Sequence, residues 1–257
     1  MRSSILCAVV FAVACGGGQE KAPTTNVGNE PGPAGANQTN TPAGNSKVSG
    51  RVSFTGTAPA NPTIDMSEEA ACKAKYSSPP TDPVYLVKDG RLANVFVYVK
   101  SGLPAGATYA APEAPAKLDQ NGCLYHPRVF GVMVGQKLEI DNSDPLLHNI
   151  KAVPAHNRGF NISQPSAGMK TTRTFTTEEI MVPLQCNVHS WMHAFVGVLS
   201  HPYFATTGED GTFTIGGLPK GTYTIEAWHE KLGTQTVTVT VGDNETKTAD
   251  FSFKPKA

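Results

Sequence analysis

Pro183-Leu184-Gln185-Cys186-Asn187-Val188-His189-Ser190-Trp191-Met192-His193 lies between two apolar runs, residues 180–184 and 195–199. Apolar runs on either side of a polar stretch predict two strands joined by a loop. This loop carries Cys186, His189 and Met192 at intervals of three. Upstream, residues 129–134 and 137–140 read as strands around the turn Gly135-Gln136, and Asp141-Asn142-Ser143-Asp144-Pro145-Leu146-Leu147-His148-Asn149 follows. A distant histidine, His148, therefore precedes the sulfur- and imidazole-bearing loop.

A thiolate, two imidazoles and a weak axial thioether make a trigonal donor set that suits copper, because soft sulfur favours Cu(I) while imidazole serves both oxidation states. One tight loop aims three ligands at a common point, and His148, from an adjoining strand end, closes the set. Taken singly, each residue has a plainer reading: His148 as a satisfied polar group, Met192 as core, Cys186-x2-His189 as part of a structural zinc site. In this order and in a β context they predict a metal site, with copper preferred because a thioether is a poor zinc ligand. His193, four residues after His189, is a second candidate for the place of Met192.

On these residues the stretch 117–200 resembles the cupredoxins, the blue copper proteins such as plastocyanin and amicyanin. The short loop Cys186-x2-His189-x2-Met192 looks most like that of amicyanin, and Asn142 through His148-Asn149 looks like the strand carrying the family's first histidine. The resemblance implies a Greek-key β-sandwich holding one mononuclear type 1 copper through His148, Cys186, His189 and Met192. It further implies that Asn149 hydrogen-bonds across to the cysteine loop, that Trp191 shields the metal, and that His189 is a partly exposed ligand through which electrons pass.

Outside this region short alternating runs recur at residues 48–54, 94–99, 213–215, 223–225 and 235–241. In the last of these Val237, Val239 and Val241 share one face and Thr236, Thr238 and Thr240 the other. Such period-two runs predict half-buried strands. Asp89-Gly90, Asn121-Gly122, Asp210-Gly211 and Lys220-Gly221 punctuate them as turns. One short helix is expected over residues 67–76, capped by Asp65 or Ser67. Asp210-Gly211-Thr212-Phe213 and Gly217-Leu218-Pro219-Lys220-Gly221-Thr222-Tyr223-Thr224-Ile225 resemble the carboxypeptidase regulatory-like, transthyretin-type β-sandwich, whose opening strands are matched far upstream by Val48-Ser49-Gly50-Arg51-Val52 and Val95-Phe96-Val97-Tyr98-Val99. The expectation is therefore an all-β chain: a smaller transthyretin-like sandwich of residues 47–115 and 201–257, interrupted by a cupredoxin-like sandwich of residues 116–200. Two consecutive domains divided near residue 200 are the alternative. Trp228-His229-Glu230 reads as a packed Trp beside surface polar residues, and His126, His156, His201 and His229 as surface or structural.

Arg2 and the ten-residue apolar run 5–14 read as a secretory leader, too short to span a bilayer. Ala12-Val13-Ala14-Cys15 followed by three glycines looks like a bacterial lipobox, with Cys15 lipidated; ordinary signal cleavage is the alternative. Residues 16–46 hold no aromatic and a single Val27, a composition that cannot offset chain ordering. They are expected to form a tether spanning on the order of 30 Å. Of the five cysteines, Cys7 leaves with the leader, Cys15 takes the lipid and Cys186 the metal, which leaves Cys72 and Cys123. An exported chain is expected to pair them, a closure of roughly 4 kcal/mol in the chain-entropy picture; two separate buried thiols are the alternative.

Among the 257 residues, 21 Lys+Arg balance 21 Asp+Glu, which excludes the basic excess that nucleic-acid binding needs. Gln185 and Asn187 stand where multicopper oxidases have histidines, the loop holds one cysteine where dinuclear copper centres need two, and Cys-x-x-Cys-His is absent. No catalytic triad or paired-carboxylate pattern stands out, so no enzyme is expected. The reading is a one-electron carrier of the bacterial cell envelope, periplasmic or outer-membrane-associated, touching the membrane through its lipid alone and serving a redox protein partner that the sequence does not identify. A copper-sequestering lipoprotein and a structural surface lipoprotein are the alternatives.

Overall fold

The computed structural model describes residues 44–255. The leader, Cys15 and all but the last residues of the expected tether lie outside them. Nineteen strands and one short helix make up the described residues.

Two sheets face each other over residues 116–199. One has four strands in the order Met169–Thr174, Lys137–Asn142, Ala116–Asn121, Leu124–His126. The other has five, in the order Phe160–Gln164, His148–Ala152, Glu179–Gln185, His193–Leu199, Val129–Met133. Ala116–Asn121 runs parallel to Lys137–Asn142, and Val129–Met133 parallel to His193–Leu199. Leu118, Leu138 and Ile140 from the first sheet and Val132, Ile150, Leu184, Ala194 and Val196 from the second are buried in one apolar cluster. The pleat of the strands aims these side chains inward.

A second pair of sheets is built from residues on both sides of that stretch. Ser46–Phe54 pairs antiparallel with Thr212–Leu218 and parallel with Thr246–Thr248 and Phe251–Phe253. Phe96–Ser101 pairs with Phe204–Thr206 and with Gly221–His229, which in turn pairs with Gly233–Val241. Val48, Val52, Val97, Val99, Tyr223, Ile225, Phe251 and Phe253 share its core. The chain leaves this sandwich after Ser101 and returns to it at Phe204.

Phe96–Ser101 departs from the half-buried reading: Val97 and Val99 face their own core, whereas Phe96 and Tyr98 enter a third apolar cluster with Val129, Met181 and Leu199. Burial on both faces follows because the other sandwich packs on it. Gly131 and Gly197, partners in the parallel pairing, make room for this. A Cβ on Gly197 would fall 2.6 Å from Phe96, and one on Gly131 2.4 Å from Phe204. The two glycines thus form a slot for aromatic rings from the neighbouring sandwich.

The helix is shorter than expected, Ala70–Lys73, and its N-cap is Glu69, which makes no side-chain cap bond. Asp65 instead accepts the amide of Ser67 at 2.9 Å, an Asx turn that stands in for the first helical turn. Cys72 and Cys123 are joined by a disulfide, which leaves Cys186 as the free cysteine among the described residues. Residues 228–230 correct the surface reading: His229 is 1% exposed and the Glu230 side chain 4%. Both are buried because the segment carrying Tyr85 and Asp82 and the strand start at Arg128 close over them.

Candidate metal centre

Three buried residues converge at one end of the sandwich of residues 116–199. Ligand-capable atoms of His148, Cys186 and His189 all lie within 4.8 Å of one another. His148 opens the strand His148–Ala152, and the loop between Glu179–Gln185 and His193–Leu199 brings the other two. The Nδ1 atoms of His148 and His189 face each other at 2.9 Å, with the rings at 70°. Met192, 1% exposed, belongs to the same apolar cluster as Cys186.

The loop's shape comes from its own backbone. The Cys186 amide donates to the Met192 carbonyl at 3.1 Å and the Met192 amide to the His189 carbonyl at 2.9 Å, closing a compact turn. The His189 amide donates to the Cys186 sulfur at 3.3 Å. Asn149 reaches across from the neighbouring strand: its Oδ1 accepts the Asn187 amide at 2.6 Å and lies 3.3 Å from Cys186 Sγ. Burial would push the Cys186 thiol up, yet the contacts with His189 and Asn149 outweigh it and hold the thiol below its ordinary value, toward the thiolate that binds metal. The Trp191 ring lies 5.1 Å from that of His189, and its Nε1 donates to the Cys123 carbonyl at 2.9 Å.

His148 is set by a residue the sequence reading did not single out. Asp144, fully buried, accepts from His148 Nε2 at 2.9 Å, from the amides of Gly122 and Cys123 at 3.0 and 2.7 Å, and from Lys75 at 2.8 Å. Burial alone would raise the Asp144 carboxyl; the Lys75 ammonium and these donors hold it below the ordinary carboxylate value. With Nε2 donating to a carboxylate, the His148 lone pair sits on Nδ1, the atom that faces His189. Asn142 orders the intervening loop, donating to the carbonyls of Leu146 and Gln164 and accepting the Asp144 amide at 3.0 Å. A single acid in a polar turn carries no periodic signal, so Asp144 is legible only once the loop is folded.

Two expectations for this region are corrected. His189 is not partly exposed but 2% exposed, because Cys72 and Glu69 lie against its outer edge. His193 does not join the cluster: as the first residue of its strand it meets Arg128 at 2.5 Å and Asp82 at 3.4 Å through Nε2. Strand alternation sends it to the sheet face away from Ala194 and the core. Among the remaining histidines His126 and His156 are exposed and His201 is buried.

Residues 193–254 match the family model of the carboxypeptidase regulatory-like domain. That stretch covers the second sandwich's later strands and begins in His193–Leu199, a strand of the five-stranded sheet. Similar solved structures include cupredoxins. A mutant of amicyanin in its Cu(I) form is 20% identical, with 40% of this chain and 97% of that one covered and a TM-score of 0.30. A purple cupredoxin from Nitrosopumilus maritimus is 21% identical over 32% of this chain and 98% of that one, with a TM-score of 0.28. A Cu-containing nitrite reductase from Thermus scotoductus SA-01 is 20% identical over 40% of this chain, with a TM-score of 0.30; the chain spans 26% of that enzyme's length. No curated protein sequence matches this chain. Among the described residues no helix is long and apolar enough to cross a membrane.

Proposed function

We propose that this protein is a type 1 copper protein that carries single electrons in a bacterial cell envelope. One observation carries the reading: two imidazole Nδ1 atoms 2.9 Å apart, with the Cys186 sulfur in the same cluster of ligand-capable atoms, all buried. The donor set fits the metal, since two imidazoles, one thiolate and the thioether of Met192 combine ligands that copper accepts in both oxidation states. His148, Cys186, His189 and Met192 would hold the ion, which when bound supplies one-electron cycling. Asp144 and Asn149 keep His148 and the cysteine loop in place, so that a change of oxidation state requires little movement of the chain. The apolar cluster around Cys186 excludes water.

In this reading the sandwich of residues 116–200 is inserted in a transthyretin-like module of residues 47–115 and 201–257, and Cys15 carries the lipid that holds the chain at the membrane. The partner is another redox protein, and the chain performs no catalysis of its own.

The mature chain loaded with Cu(II) is expected to show an intense visible thiolate-to-copper band, and Cys186→Ser to abolish it. A band that survives Cys186→Ser overturns the ligand assignment. A second reading, copper held without electron exchange, is favoured by the burial of His189. Protein-film voltammetry separates the two: reversible one-electron cycling supports the carrier, and a copper-loaded film that does not cycle supports the store.

A further inference from the structure

The segment that buries His189 is a closed loop with its own neck. Thr63 and Thr81 form an isolated bridge, the Ile64 amide donates to the Pro80 carbonyl at 2.8 Å, and the Asp82 amide to the Pro62 carbonyl at 2.9 Å. Between these bonds the loop reaches over the metal-site end of the other sandwich. Three ties hold it there: the Cys72–Cys123 disulfide, the Lys75–Asp144 ion pair at 2.8 Å, and a hydrogen bond of 2.7 Å from the Tyr76 hydroxyl to the Gly122 carbonyl. Ile64 and Met66 enter the apolar cluster that contains Cys186 and Met192.

Its contact with His189 is direct. Cys72 Sγ lies 3.8 Å and Glu69 Oε2 3.7 Å from Nε2, while Nδ1 of the same ring faces His148. The imidazole is thus held between a candidate ligand on one side and the loop on the other. The Glu69 side chain is itself 38% exposed, so it reaches from the edge of His189 to solvent.

We propose that residues 64–80 are a disulfide-locked cover over His189, opened by thiol–disulfide exchange. Both cysteines are buried, so a dithiol reaches the bond during transient opening of the loop and supplies the two electrons: its sulfurs join as the Cys72–Cys123 bond breaks, and its two protons pass to the Cys72 and Cys123 sulfurs. With that tie gone, the Lys75–Asp144 pair, the Tyr76 hydrogen bond and the packing of Ile64 and Met66 still hold the cover, non-covalent contacts that can break and re-form. The cover then swings about its neck and frees the outer edge of His189. The cover rests on contacts within the chain; its consequence, control of metal exchange, rests on the copper reading above.

The metal-free mature chain tests it by diethyl pyrocarbonate labelling, mapped by peptide mass spectrometry. Exposed His126 and His156 are expected to react, and His148 and His189 to be protected. After treatment with dithiothreitol, and in Cys72→Ser/Cys123→Ser without it, His189 labelling is expected to rise at least tenfold while His148 stays protected. Equal His189 labelling in all three samples overturns the proposal, as does a His189 already as reactive as His126 in the oxidised chain. If His148 labelling rises as well, the fold has been lost and Glu69→Ala, which keeps the disulfide, decides: a rise at His189 alone supports the cover and no rise overturns it. In the copper-loaded chain the opened forms are expected to lose metal to a chelator tenfold faster than the oxidised one. A wild-type chain that binds no copper would fail the copper reading and leave the labelling result standing.

Discussion

Asn149 and Asn187, 38 residues apart in sequence, are joined by a hydrogen bond of 2.6 Å from the Asn187 amide to the Asn149 side-chain oxygen. The same oxygen lies 3.3 Å from Cys186 Sγ, and Asn149 Nδ2 is fixed by Asn161 Oδ1 at 2.6 Å. The residue next to one candidate ligand thereby sets the position of the loop that carries the others.

Asn149→Ala is expected to lower copper affinity by about 10–100-fold, the usual effect of losing a partner that orients ligands. Competition against a chelator of known affinity measures it. The folded state should survive, because backbone bonds within the loop remain; an unchanged affinity would mean that the loop holds its shape without the tether.

Arg128 ties three parts of the chain together. Its guanidinium, 7% exposed, donates to Glu230 at 2.5 and 3.0 Å and to Asp82 at 2.5 Å, and meets His193. Arg128→Ala would leave the buried Glu230 carboxylate without its cation, so a loss of about 3–5 kcal/mol is expected in urea unfolding. Arg128→Lys is expected to recover only part of it, since a point charge cannot match the forked contacts. Full recovery by Lys would show that net charge, not geometry, is what the site needs.

His229 predicts an acid-sensitive stability. Burial, the largest influence, pushes its pKa down from 6.5 to about 4, and its Nδ1 accepts the amides of Lys231 and Leu232 at 3.3 Å each, which protonation would break. Between about pH 6.5 and 4 the unfolded chain binds this proton and the folded chain does not, so the contribution is complete above 6.5 and falls away as pH drops toward 4. The expected loss is about 3 kcal/mol over that window. His229→Asn, compared by urea midpoints at pH 7 and 4.5, should show a shallower slope than wild type. An identical slope would assign the acid sensitivity to other groups.

Much of the site was legible because its chemistry is local. Cys186 and His189 stand three apart on one loop between two apolar runs, and a turn that short brings their ligand-capable atoms within 4.8 Å of each other. Strand positions were legible too, since alternation such as Val237 to Val241 against the intervening threonines reports which face meets a core. Their ends and exposure were less so. Phe96–Ser101 reads as half-buried until the Gly131 and Gly197 slot brings a second sandwich against it.

By itself the sequence determined an all-β chain and a set of soft and imidazole donors suited to one transition ion, since periodicity and side-chain chemistry are properties of neighbouring residues. Only the tertiary structure decided that His193 turns to Arg128, that Asp144 orients His148, and that the loop bearing Glu69 and Cys72 buries His189. Apart from Asp144 and His148, which share one loop, those contacts join residues 65 to 120 positions apart, and a pairing across such distances is set by how whole sheets and loops pack, which no local pattern encodes.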